Sequence, residues 1–205
     1  MTDWLTKHQY YGVDWKGDLR LSRAELETHL EVGEGTRSIC IAVERFVIRG
    51  ALALRKLQDR RTLSDEVRSS TWAVRRCPCV QRPEPRFWFD GTIDLVNHHH
   101  IARHYRLETP AASKLSLQDL TNYLIHSFVF VVCPEPGDDV PNDTRFYFNS
   151  DKNKNEALWE MSVGEFQAVV DAVLSDEVVW VSGNKATGHF RQHNSTWRAA
   201  QRGLS

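Results

Sequence analysis

Apolar positions along this chain recur at two different spacings, and the spacings divide it into helical and extended segments. From Thr36 to Gln58, residues Ile39, Val43, Phe46, Val47, Ala51, Leu54 and Leu57 fall on one face of a helix, with Glu44, Arg45, Arg49, Arg55 and Lys56 largely off it. This is the longest periodic segment. A second helix is expected from Ser116, where a serine with Asp119 three residues on makes a capping-box pattern and Leu117, Leu120, Leu124, Ile125 and Phe128 supply the apolar face. From Phe128 to Cys133 the chain is β-branched and aromatic without a polar break, which favours a strand ended by Pro134 and Pro136. Thr144 to Asn149 reads as its partner across a long Pro/Gly/Asp connection, and Leu158 to Met161 as a third short strand. Ser162 and Glu165 then cap a helix through Leu174 with Phe166, Val169, Val170 and Val173 inward, followed by a strand at Val178 to Val181.

The first half is patterned less sharply. Trp4, Tyr10, Tyr11 and Trp15 form an aromatic arm, and Ser22 with Glu25 predicts a short capped helix to about Leu30, broken by Gly33 and Gly35. Ser64 followed by Asp65 and Glu66 predicts a helix to about Arg76, because the hydroxyl caps it and the acids suit its positive end. Cys77 to Pro85 holds three prolines and reads as a loop, Phe87-Trp88-Phe89 as an aromatic anchor, and Thr92 to Arg106 as a helix carrying His98, His99, His100 and His104. The expected fold is therefore α+β, a mainly helical N-terminal two-thirds packed on a small antiparallel sheet formed by the C-terminal part. Residues 1–182 make one domain and 183–205 a basic polar tail.

Composition narrows the function without naming it. The chain has 205 residues and a formal net charge of −1, so no global field draws it to nucleic acid or a membrane surface. No apolar run approaches the roughly 18 residues of a membrane span, and Met1-Thr-Asp-Trp lacks a leader's basic and apolar regions, so the protein is expected in the cytoplasm and off the membrane. In that compartment Cys40, Cys77, Cys79 and Cys133 are free thiols. There is no G-x-G-x-x-G, Walker loop, G-x-S-x-G or H-E-x-x-H, and no cofactor is implied.

Four constellations carry chemistry. Asp119, Asn122 and His126 form a polar stripe at helical spacing, with Gln118 one turn earlier, and a histidine there is a candidate general acid or base oriented by Asn122 or Asp119. Asn149-Ser-Asp-Lys152 is polar enough for a site and equally suits a turn. Cys77-Pro-Cys79, His98 to His100 and His104 are metal-ligand types, but the single-residue cysteine gap and the divergent histidines do not make a zinc site, so no metal is expected. In the tail, Lys185, Arg191, Trp197 and Arg198 pair cations with a ring in the manner of a phosphate- and base-contacting segment, which keeps a nucleic-acid partner open.

The run Asn-Tyr-Leu-Ile-His-Ser-Phe-Val-Phe at 122–130, with Ser150-Asp151 and Leu158-Trp159 after it, resembles a bacterial protein family of unknown function with an I-I-H-S-[YF]-[VI]-F core followed by S-D and L-Y. The resemblance spans about residues 114–181 and brings no activity; Thr121-Asn122 stands where Cys-Asn is common, and Trp159 where Tyr is usual. A distant resemblance is to HEPN ribonucleases, helical domains with Arg, four to six residues, then His. Arg23 and His29 have that spacing near the N-terminus, while ahead of His126 the chain has Asn122 instead of Arg. Two readings follow: a non-enzymatic, homo-oligomeric (most simply homodimeric) binding module with a protein partner, and an RNA-binding protein or ribonuclease of HEPN descent using His126.

Overall fold

The computed structural model describes residues 14–31, 35–80, 93–133, 144–184 and 187–194. Outside them lie Trp4, Tyr10 and Tyr11 of the aromatic arm, Gly33, the Phe87-Trp88-Phe89 anchor, the 134–143 connection, and Lys185, Trp197 and Arg198.

Helices α1 (Trp15–Glu31) and α2 (Thr36–Asp59) open the described chain and pack along each other. The one-turn helix α3 (Asp65–Arg68) leads into strand β1 (Thr71–Pro78), and the one-turn helix α4 (Ile101–His104) precedes β2 (Ala111–Ser116). Helix α5 (Leu117–Ile125) passes directly into β3 (Ser127–Cys133). Strands β4 (Arg145–Ser150) and β5 (Ala157–Ser162) precede helix α6 (Val163–Ser175), and a hairpin of β6 (Val178–Asn184) and β7 (His189–Asn194) closes the description. The main sheet is antiparallel with strand order β2-β1-β5-β4-β3, and β6 with β7 forms a separate two-stranded sheet.

Neighbouring residues of a strand point to opposite faces, and the two faces of this sheet bury different cores. Trp72, Val74, Leu115, Phe130, Phe146, Phe148, Trp159 and Met161 meet α2, α5 and α6 in the larger cluster. At its centre Phe166 of α6 lies edge-on to Phe46 of α2, with ring centroids 5.4 Å apart, and to Phe146 of β4, at 6.1 Å. Gly50 of α2 permits this approach, because a Cβ there would sit 2.9 Å from the Phe166 ring. Cys77, Val129 and Leu158 face the other way, into a smaller cluster with Ile93, Ile101 and Tyr105.

The expected helical two-thirds is overturned, because the five-stranded sheet begins at Thr71 and occupies the middle of the chain. Ser64 does cap a helix, its hydroxyl accepting from the Val67 N–H, but Ser69 and Ser70 donate their hydroxyls back to the carbonyls of Asp65 and Val67 and the helix stops after one turn. Thr71-Trp-Ala-Val then runs extended, with Trp72 and Val74 against the helices, and Cys77 and Pro78 belong to β1, not to a loop. The helix expected over Thr92 to Arg106 reduces to Ile101–His104, because the Asp94 carboxylate accepts from the N–H groups of Val96 and Asn97 and folds the preceding residues into turns. Ser22 does not start a helix: it lies buried within α1, and Glu25 pairs with Arg49 of α2 at 2.7 Å. Residues 189–194, expected in the polar tail, pair with β6 as β7.

Candidate functional site

Helix α5 is positioned from both ends. At its start the Ser116 hydroxyl accepts from the Asp119 N–H at 3.0 Å and donates to the Asp119 carboxylate at 2.6 Å, so the carboxylate bonds the capping hydroxyl. Its buried side, Leu117, Leu120, Thr121 and Leu124, sits on the large core. The polar stripe of Asp119, Asn122 and His126 is thereby turned outward, toward the turn between β4 and β5.

That turn is built just as firmly. Asn149, fully buried at the end of β4, accepts from the Val129 N–H at 3.2 Å and donates to the Tyr105 hydroxyl at 2.7 Å and the Ala157 carbonyl at 3.3 Å. Tyr105 passes the chain on by donating to the Lys154 carbonyl at 2.6 Å. Asn153 accepts from both the N–H and the hydroxyl of Ser150, and Lys154 pairs with Asp151 at 2.7 Å while resting on the Phe128 ring. Of the Asn149-Ser-Asp-Lys152 cluster, Ser150, Asp151 and Lys152 line one wall of a cleft, while Asn149 lies buried behind them at the end of β4.

Between the two walls lies an open cleft of about 880 Å³, lined by Asp119, Asn122, Tyr123 and His126 from α5 and by Ser150, Asp151, Lys152, Asn153 and Glu156 from the turn. Tyr123 forms the floor, stacked parallel on Trp159 with centroids 6.1 Å apart. Its hydroxyl is held above the usual phenol range by burial, reinforced by the charges of Asp119 and Glu156, against the hydrogen bond from Asn153. The structure brings the three stripe residues onto one wall but gives two of them other partners. Asn122 accepts from Arg55 of α2 at 2.7 Å, and Asp119 bonds Ser116. His126, the exposed C-cap of α5, is therefore oriented by neither. Tyr123, Asn153 and Glu156 escaped the sequence reading because their contribution depends on the β4–β5 turn folding under α5.

The other candidates fall elsewhere. Arg191 lies exposed on β7. Arg23 and His29 lie on α1, where Arg23 is paired with Glu27 and with Asp171 of α6. Cys77 is buried, and burial together with the nearby Glu160 carboxylate pushes its thiol up to about 12. His104 bonds the Asn97 carbonyl at 3.0 Å, and among the described residues no group of three His, Cys, Asp or Glu side chains is placed to hold a metal ion.

On the far face of the sheet, Glu160 is buried between Arg75, at 3.0 Å, and Arg145, at 2.5 Å, with the Cys77 thiol 3.8 Å away. Each arginine is about one-third exposed. This cluster ties β1, β4 and β5 together.

The class defined by these elements is an α+β fold with its long helices on one face of a five-stranded antiparallel sheet and the one-turn helix α4 on the other, and no described helix is long and apolar enough to cross a membrane. No protein-family model, curated protein or solved structure matches the chain.

Proposed function

We propose that this is a cytoplasmic binding protein whose α5 and β4–β5 cleft holds, without transforming, a small cationic ligand rich in hydrogen-bonding groups, of the di- or polyamine kind. The observation that supports this reading most is the cleft lining itself. Three carboxylates, Asp119, Asp151 and Glu156, stand against the single ammonium of Lys152, a formal −2 with His126 neutral. Asp151 is shared with Lys154, so Asp119 and Glu156 carry the attraction. Amides of Asn122 and Asn153, the Ser150 hydroxyl and the Tyr123 ring supply hydrogen-bonding and cation–π partners around them. Among the described residues the lining shows no nucleophile bonded to a base, and Asn122 and Asp119 bond Arg55 and Ser116 instead of orienting His126, which favours binding over catalysis.

Titration calorimetry with spermidine tests the reading. Binding is expected to weaken as salt rises, because the attraction is between exposed charges, and to fall at least tenfold in the Asp119→Asn/Glu156→Gln double variant. Equal binding of spermidine by that variant, or none by the wild type, would remove the assignment.

A further inference from the structure

A second constellation lies where the β6–β7 hairpin meets α3, and it shares no residue with the cleft. His193 of β7, almost fully buried, has both ring nitrogens engaged: Nδ1 is 3.0 Å from Glu66 Oε1 and Nε2 is 3.1 Å from Ser182 Oγ. One tautomer of the ring satisfies both contacts. Burial opposes ionisation of Glu66, but the hydrogen bond from His193 and backbone N–H groups outweigh it and hold the carboxyl below its ordinary range. An ionised carboxylate only accepts, so Nδ1 of His193 donates. In that tautomer Nε2 presents its lone pair, to which the Ser182 hydroxyl can donate. A hydroxyl, an imidazole and a carboxylate thus stand in the hydrogen-bonded order that an activated serine uses.

The surroundings hold that geometry in place. Asp176, buried after α6, accepts from the N–H and the hydroxyl of Ser64, both at 2.7 Å. Asn194, next to His193, donates to Ser64 and to Asp176, each at 3.3 Å. The end of β7 is thus tied to the cap of the helix that carries Glu66. Ser182 is half-buried, and its cross-strand partner is Arg191, whose side chain shares its face of the hairpin and is exposed. Directly opposed residues have Cβ atoms about 5 Å apart, so the exposed Arg191 side chain starts out beside Ser182.

We infer that Ser182, His193 and Glu66 form a hydrolytic site for small carboxylic esters, with Ser182 as nucleophile, His193 as general base and acid, Glu66 as positioning residue and Arg191 facing the carbonyl oxygen. Ser182 Oγ bonds to the ester carbonyl carbon as its proton passes to His193 Nε2. Negative charge gathers on the carbonyl oxygen beside Arg191. The bond to the alcohol oxygen then breaks, and the alcohol leaves with the proton from Nε2. Water attacks the acyl group, giving a proton to Nε2; the acyl–Oγ bond breaks, the carboxylic acid departs and Ser182 recovers its proton.

The same hydrogen bonds would also serve to dock the hairpin, so the test must read chemistry and not stability alone. The full chain is treated with a fluorophosphonate probe, and adducts are located by peptide mass spectrometry, with a serine esterase as a positive control in the same tube. The expected result is an adduct on Ser182 that is absent in Ser182→Ala, a variant whose thermal melt matches the wild type. In Glu66→Gln labelling at neutral pH slows at least about tenfold and its pH profile shifts, because the imidazole loses the partner that fixes its tautomer. No adduct on Ser182 of the folded wild type, or one formed equally fast in Glu66→Gln, would overturn the assignment and leave the three residues as a structural clasp.

Discussion

Replacing Asn149 by alanine tests how the cleft is built. The side chain is fully buried and makes three hydrogen bonds, from Val129 N–H and to the Tyr105 hydroxyl and the Ala157 carbonyl. In Asn149→Ala the buried Val129 N–H loses its acceptor, an unsatisfied donor costing about 1–3 kcal/mol. The Tyr105 hydroxyl keeps the Lys154 carbonyl as its acceptor but loses the bond it accepted, about 1 kcal/mol more. The sum, about 2–4 kcal/mol, corresponds in a chain of this size to a fall in Tm of roughly 4–16 °C. Urea unfolding followed by fluorescence measures it directly, with the slope against urea unchanged if only stability is altered. The arrangement further predicts that Asn149→Asp is destabilised as well, because a carboxylate cannot donate to Ala157 or Tyr105. A loss below about 0.5 kcal/mol in Asn149→Ala would refute the reasoning, since changes that small are typical of surface sites without partners.

Two further outcomes follow from the far face of the sheet. Glu160→Gln removes the buried carboxylate that Arg75 and Arg145 share, and a loss of about 1–3 kcal/mol is expected, discounted because both guanidiniums reach solvent; added salt should recover part of it in urea titrations, and a salt-independent loss would contradict an electrostatic origin. With its thiol pushed from 9.0 to about 12, Cys77 should resist iodoacetamide at pH 8.5 in the folded protein and react once urea is added, as peptide mapping would show. The native state holds that proton more tightly than the unfolded chain, so Cys77 contributes stability that is complete below pH 9 and is lost as pH rises from 9 toward 12.

The sequence made some elements legible and hid others for physical reasons. Helix α2 and helix α6 were readable because each buries one apolar stripe, and Ser162 with Glu165 forms the complete reciprocal capping box expected of it. Strands β3, β4 and β5 announced themselves by β-branched and aromatic runs. A cap signals where a helix starts but not how far it runs: Ser64 capped one turn, after which pairing of β1 with both β2 and β5 outweighed any helical preference of Thr71 to Arg76. Strand β2, Ala-Ala-Ser-Lys-Leu-Ser, has almost no strand signal of its own and is held at the sheet edge by its register with β1. Of the cleft, the α5 wall was visible at helical spacing and the Asn149-to-Lys152 turn as a polar cluster; their meeting was not, because it depends on where the β4–β5 turn lies relative to α5. His193 lies 11 positions from Ser182 but 127 from Glu66, and no local pattern encodes the meeting of the three.

The cleft as a binding site for a small cationic ligand is tested most directly by following the backbone amide resonances of the full chain while spermidine is added. Saturable shifts confined to Asp119, Asn122, Tyr123, His126 and the turn from Ser150 to Glu156 are expected, and they should vanish in the Asp119→Asn/Glu156→Gln variant. Shifts scattered over other acidic surfaces, or none at these residues, would contradict the account.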